Sequence, residues 1–246
     1  MNITMVGRLS DCVLLAYRTP AASVAHLLPN GLELVTHGQW AFWNIVACRL
    51  EAMRPILCPR WMGSSYLHVA YRLYVRAHAQ SEVLDGLYFV RSDADSLPVR
   101  LLGNALTDFR FHKATIALLV DGEGVLLSVK GTLNSAGDAG LRAVFGTPTL
   151  ASDSCFESYA QAQRFLKYRP IALSPDRRGR RIRVAEVSRD ESAWRESPLS
   201  VSDARWAFFD RLAQRDVRLE LATRVEPLDY RWRLGRSCVL RRPPDG

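Results

Sequence analysis

The residues with the clearest chemical potential lie between positions 101 and 120, in the sequence LLGNALTDFRFHKATIALLV. Lys113 begins an apolar segment there, and Arg110 and His112 come just before it. Neighbouring cations and removal from water both disfavour a charged amine, so this setting favours the neutral form of Lys113. A neutral amine is a nucleophile that forms Schiff bases with carbonyl groups. Lys113 is therefore a candidate catalytic residue; the alternative is that it flanks a core strand and points to water.

Lysine is rare in this chain, which narrows the search for such an amine. Only Lys113, Lys130 and Lys167 occur among 33 lysines and arginines. Lys130 is the competing candidate, because strand alternation can place it on an inner face.

A second group of polar residues lies on one predicted strand. The sequence YLHVAYRLYVR (66–76) alternates, so its side chains divide between two faces. One face is apolar, and the other carries Tyr66, His68, Ala70, Arg72, Tyr74 and Arg76. His68 and Arg72 are roughly 13 Å apart along such a strand, a spacing at which they can flank a bound anion. In a barrel this face can point into a polar interior, and the alternative is an outer face in contact with water.

The elements that must position these residues are mainly strands. Alternating or continuous apolar patterns predict strands at 11–17, 32–36, 40–51, 66–76, 87–91, 114–120, 125–133, 170–173, 181–187, 217–225 and 228–234. Helical spacing is found at 21–28, from Pro98 to Phe109, at 154–168 and at 200–215. Residues 134–152 are predicted to form a loop.

Many strands with three or four helices, in no strict alternation, indicate a mostly antiparallel α+β protein. No repeat, linker or low-complexity segment divides the chain. We therefore expect one domain over residues 1–240 and a disordered tail at 241–246.

Composition limits the classes of partner. The chain of 246 residues is 48% hydrophobic, with a formal net charge of +8. Its densest basic segment, residues 177–183, lies on a predicted turn without a recognition helix or stacking aromatic residues, so no nucleic-acid partner is expected. No apolar segment approaches the roughly 20 residues of a membrane helix, and Arg8 and Asp11 interrupt any signal peptide. We expect a soluble, cytoplasmic protein without a membrane partner.

Metal and cofactor sites are not predicted. The five cysteines and five histidines show none of the short spacings of zinc or redox motifs. The cysteines are expected to be reduced.

Several stretches together resemble a known family. They are HLLPNGLEL (26–34), YLHVAYRLYVR (66–76), LDGLYFVRSDAD (84–95), LLGNALTDFRFHKATIALL (101–119) and FESYAQAQRFLKYRPI (156–171). The order of these stretches along the chain is similar to the order of features in the DUF2071 family, which belongs to the acetoacetate decarboxylase-like group.

The resemblance implies an antiparallel β-barrel or cone with helices at its sides and a polar cavity inside. In the decarboxylases, a cavity lysine forms a Schiff base with a β-keto acid and a second lysine activates it. The decarboxylase Gly-Arg-Glu element is Gly-Asn-Ala at 103–105 here, and the Lys-Lys pair is His112-Lys113. His68 stands where the family usually has a glutamate, whereas Arg72 matches the family's arginine.

Two functions follow from these residues. In the first, the protein is a lyase of the decarboxylase, dehydratase or aldolase type. Lys113 attacks a small keto acid, His112 or Arg110 keeps it neutral, Arg72 holds the carboxylate, and His68 transfers protons.

In the second, the protein is a non-catalytic cavity protein. It holds a small acidic or apolar ligand on Arg72 and on aromatic residues such as Tyr66 and Tyr74. Under both functions the partner is a small carboxylate or keto acid. The relatives implied by the resemblance often form homo-oligomers, and the apolar composition permits this.

Overall fold

A computed structural model describes residues 3–132, 136–176 and 178–241, which form a mostly-strand α+β fold. The strands are β1 (Ile3–Pro20), β2 (Glu33–Leu34), β3 (Trp40–Pro55), β4 (Ser64–His78), β5 (Val83–Ala94), β6 (Phe111–Val120), β7 (Gly124–Gly131), β8 (Ala139–Phe145), β9 (Ile171–Pro175), β10 (Arg181–Arg189), β11 (Glu196–Trp206), β12 (Arg218–Val225) and β13 (Leu228–Val239). The α-helices are α1 (Ala21–Val24), α2 (Leu97–Leu106), α3 (Tyr159–Phe165) and α4 (Ala207–Arg211). Short 3₁₀ helices occupy Ala25–Leu27 and Arg60–Met62.

The strand pairings close into two rings that share β1, β3, β4 and β5. One ring continues through β6, β7, β8, β11 and β12 and closes where β12 pairs with β1. The other continues through β9, β10 and β13 and closes where β13 pairs with β1. Most pairs are antiparallel, while β5 pairs in parallel with both β6 and β9.

The shared strand β4 is covered on both faces. Leu67, Val69 and Tyr71 point into the largest apolar cluster of the protein, which also includes α4. The opposite face, with His68 and Arg72, is directed at the second ring. The alternation predicted for residues 66–76 is thus present. The polar face lies inside the molecule around His68 and Arg72, while Arg76 at its end is exposed.

Two predicted elements are wrong. Residues 200–206 form the end of β11 and not a helix, because Ser200, Val201 and their neighbours pair with β8. Residues 139–145, predicted as part of a loop, are β8 itself. Pairing with neighbouring strands decided both segments, and strand preference depends strongly on such context.

The α+β class with four α-helices in the described residues is confirmed, and those residues contain thirteen strands, more than the sequence predicted. The barrel or cone shape and the single domain stay predictions. Arg177, residues 133–135 and residues 242–246 of the predicted tail lie outside the described residues. In the part that is described, no helix is long and apolar enough to cross a membrane.

Candidate binding cavity

The second ring surrounds a cavity with a volume of about 210 Å³. Its lining comes from all seven strands of this ring, from α2, and from the segments before β9 and after β10. The lining is mostly apolar, with a few polar groups. Such a lining, with few polar groups to orient a ligand, is typical of small-molecule sites.

Arg72 is one of three arginines that line this cavity. It is 5% exposed, and its Nη2 donates a hydrogen bond to Oδ1 of Asn44. Its guanidinium carbon lies 5.4 Å from the ring centroid of Phe89 and 5.8 Å from that of Tyr168. Among the described residues, no carboxylate forms an ion pair with Arg72, and its buried Nε has no hydrogen-bond partner. Burying a charge without a counterion is costly, so this guanidinium is suited to receive an anion.

A chain of hydrogen bonds that starts at Asn44 fixes the position of the Arg72 guanidinium. Asn44 accepts from Arg72, and its Nδ2 donates to Oη of Tyr74 at 2.9 Å. Tyr74 in turn donates to the carbonyl of Leu166 at 2.7 Å. Tyr74 is buried and does not line the cavity. The predicted ligand-binding Tyr74 therefore touches Asn44 and positions Arg72 through it.

The second polar group is the imidazole of His68. It is 8% exposed and packs near the rings of Phe111 and Tyr66, with centroid distances of 5.3 and 6.4 Å. Burial, with a smaller effect of Arg72, lowers the pKa of His68 to about 3. Its Nε2 is buried without a hydrogen-bond partner in the described part of the chain. The low pKa favours the neutral form of His68 near pH 7, and its Nε2 is free to form a hydrogen bond. The role of His68 in proton transfer stays a prediction.

Three tyrosines line the cavity: Tyr66, Tyr168 and Tyr230. Burial raises the pKa of each, and for Tyr168 the nearby Arg72 and Arg189 partly oppose this effect. All three therefore stay protonated and able to donate a hydrogen bond.

Two cysteines lie beside His68 in the sheet. Cys12 is opposite Cys48, and Cys48 is opposite His68, in consecutive strands of the ring. Burial raises the pKa of Cys12 well above its usual value and that of Cys48 to about 12. Both are neutral thiols and act as small apolar groups in the wall.

Two further arginines line the cavity but differ from Arg72. Arg189 pairs with Glu191 at 3.0 Å and lies 3.3 Å from the ring centroid of Trp194, so a carboxylate already balances its charge. Arg169 is only partly buried, and with Arg76 it helps to lower the pKa of Asp85.

The residues around Lys113 lie elsewhere. Lys113 and His112 are exposed on β6, where His112 is opposite Asp93 of β5. Arg110 is also exposed and donates to Oη of Tyr88 at 2.7 Å. Burial, followed by the field of Arg91, lowers the pKa of His112. None of the predicted Lys113, His112 and Arg110 lines the cavity, and the expected removal of Lys113 from water is not found.

The other two lysines are also outside. Lys130 and Lys167 are exposed, so within the described chain none of the protein's three lysines lines the cavity. The predicted site residues therefore fall into two groups. Tyr66, His68 and Arg72 come together at the cavity, and the other predicted site residues do not line it.

Sequence reasoning missed part of this site. Cys12, Tyr168 and Tyr230 come from three distant segments, and only the strand register brings them together. Asn44 was also missed, although an amide side chain within an otherwise apolar predicted strand is a signal that could have identified it. In the described residues, no cluster of three or more histidine, cysteine or acidic side chains is arranged to hold a metal ion.

The two rings and the interior cavity define an α+β protein with a ligand-sized pocket. The chain belongs to the DUF2071 family, described as an uncharacterized conserved protein family, whose model matches residues 7–209. No curated protein matches the chain.

Solved structures show the same fold. An acetoacetate decarboxylase-like enzyme from Sphingomonas wittichii RW1 has a TM-score of 0.59 at 14% identity, covering 97% of this chain and 92% of its own. Acetoacetate decarboxylase from Legionella pneumophila has a TM-score of 0.57 at 14% identity, with 98% and 87% covered. The enduracididine biosynthesis enzyme MppR, complexed with pyruvate, has a TM-score of 0.52 at 13% identity, with 98% and 91% covered. At these identities the likeness establishes the acetoacetate decarboxylase-like fold.

Proposed function

We propose that this protein binds a small carboxylate, of the 2-oxo acid class, without a covalent bond, and that Arg72 holds the carboxylate. The observation that carries the proposal is the buried guanidinium of Arg72, which lacks an acidic partner among the described residues. A ligand carboxylate would supply the missing counterion and accept the hydrogen bond that Nε does not make. Such charge-assisted bonds are about twice as strong as neutral ones.

Neutral groups beside Arg72 suit the rest of a 2-oxo acid. A keto oxygen is an acceptor, and the protonated Tyr168, whose ring centroid lies 5.8 Å from the guanidinium carbon of Arg72, is a donor. Further along β4, His68 Nε2 is a donor or acceptor for a longer ligand, depending on its tautomer. The pyruvate complex of the neighbour MppR supports this ligand class, since that protein has the same fold.

The second candidate is Schiff-base chemistry on a keto acid through Lys113, assisted by His112. Its support is the likeness to acetoacetate decarboxylases. The exposure of Lys113 and its position outside the cavity favour the first candidate. Assembly into a homo-oligomer is a further prediction that fits either candidate.

Calorimetric titration with pyruvate and longer 2-oxo acids tests the proposal. Arg72→Gln removes the charge and is expected to weaken binding at least about 30-fold, because loss of one partner from a buried charge pair costs about 2–5 kcal/mol. Arg110→Gln is the matched control, since it is the same change at an exposed arginine outside the cavity. Equal affinity in the Arg72 and Arg110 variants contradicts the proposal.

Borohydride reduction of the protein mixed with the same acids separates the two candidates. Non-covalent binding predicts no lysine adduct by peptide mass spectrometry, and unchanged binding in Lys113→Ala. An adduct on Lys113 that the Lys113→Ala variant lacks supports the enzyme instead.

A further inference from the structure

We infer that the natural ligand is an amphiphilic acid, with its carboxylate on Arg72 and an apolar chain of several carbons that is directed along β4 toward helix α2. This inference rests on the proposed function, because it takes Arg72 as the carboxylate site. It adds the ligand's length, polarity and direction.

The lining of the cavity follows strand β4 over several residues. Its lining includes Ser64, Tyr66, His68 and Arg72, which follow one face of this strand. Ser64 and Arg72 are about 26 Å apart at 3.3 Å per residue, with His68 between them. The lining therefore offers a path much longer than a three-carbon acid.

Helix α2 lies at the end of the cavity opposite Arg72. The link that precedes it is tied to β4, because Leu67 N–H donates to Oδ1 of Asp95 at 2.9 Å. Leu67 is five residues along β4 from Arg72, near the Ser64 end. A ligand held by Arg72 can therefore reach α2 only with its far end.

The face that α2 turns to the cavity is apolar and incompletely covered. Val99, Leu102 and Leu106 line the cavity, yet no residue of α2 is buried and Leu102 is 61% exposed. Exposed leucines gain free energy when apolar surface covers them. An apolar ligand chain beneath α2 would provide that surface, whereas pyruvate has only one methyl group to offer.

The volume agrees with a ligand larger than pyruvate. An apolar cavity of about 150 Å³ holds benzene, which has six non-hydrogen atoms. On that scale, 210 Å³ accommodates about eight such atoms, which is more than pyruvate fills. Pyruvate has six and 2-oxohexanoate has nine.

The first test is a chain-length series of pyruvate, 2-oxobutanoate, 2-oxohexanoate and 2-oxooctanoate, titrated into the intact protein. Affinity is expected to rise about fourfold per methylene group, or about 60-fold from pyruvate to 2-oxohexanoate. Equal affinities along the series overturn this inference but leave carboxylate binding in place. Failure of every acid to bind overturns the proposed function and this inference together.

The second test uses two neighbouring leucines of α2. Leu101 and Leu102 are 64% and 61% exposed, and of the two Leu102 lines the cavity. Leu102→Asp is expected to weaken 2-oxooctanoate at least tenfold and to leave pyruvate within about twofold, because a charge in an apolar ligand path is unfavourable. Leu101→Asp is the control and is expected to change neither affinity. Equal effects of the two variants on 2-oxooctanoate contradict the inference, and the chain-length series decides it if either variant fails to fold.

Discussion

The neutral state of His68 gives a sharp prediction about stability and pH. In the unfolded chain a histidine has a pKa of about 6.5, and in the folded protein burial lowers the pKa of His68 to about 3. Between these values the unfolded state binds one proton more than the folded state. The contribution of His68 to stability is therefore full above pH 6.5 and is lost as the pH falls toward 3.

The size of this effect follows from proton linkage. Between pH 7 and pH 5, the unfolded histidine takes up nearly one proton, while the folded one stays neutral. Summed over this pH interval, the proton uptake of the unfolded state lowers the free energy of unfolding by about 2 kcal/mol, since each pKa unit corresponds to about 1.4 kcal/mol. His68→Gln removes the titrating group and with it this part of the pH dependence.

Urea unfolding at pH 7 and pH 5 measures the effect. The original protein should lose about 2 kcal/mol more than His68→Gln on this change of pH. His26→Gln, the same substitution at an exposed histidine, controls for the removal of an imidazole. Equal losses in the original protein and His68→Gln would show that His68 titrates normally, and would support its predicted role as a proton carrier near neutral pH.

Two further substitutions test buried charges. Asn44→Asp places a carboxylate against Arg72. Titration with 2-oxo acids should then show at least about tenfold weaker binding, because an internal ion pair of a few kcal/mol competes with the ligand. Unchanged affinity would contradict the role of Arg72. Arg18→Met leaves the fully buried Glu220 without its ion-pair partner and should lower the urea-derived free energy of unfolding by about 3–5 kcal/mol. Arg205→Met, which removes an exposed partner, should change it by less than about 1 kcal/mol, and similar losses in both variants would refute the reasoning.

Part of the site could be predicted from local pattern. The alternation of residues 66–76 correctly separated Tyr66, His68 and Arg72 from the apolar face, because a strand places alternate side chains on opposite sides. Which face of this strand contacts water depends on the other strands that cover the two faces. The sequence left that choice open, and the second ring of strands settled it.

Lys113 shows where local pattern fails. A lysine between a histidine and an apolar strand looked like an amine withdrawn from water, but alternation on β6 leaves its side chain exposed. The adjacency of Cys12, Cys48 and His68 could not be predicted from the sequence for another reason. It depends on the register between three strands, which a single sequence does not specify.

A crystal structure of the protein with 2-oxohexanoate tests the central claim most directly. The account predicts a carboxylate oxygen about 3 Å from a guanidinium nitrogen of Arg72, with the carbon chain directed along β4 toward α2. A ligand bound covalently to a lysine, or bound outside the cavity with Arg72 uncontacted, would contradict it.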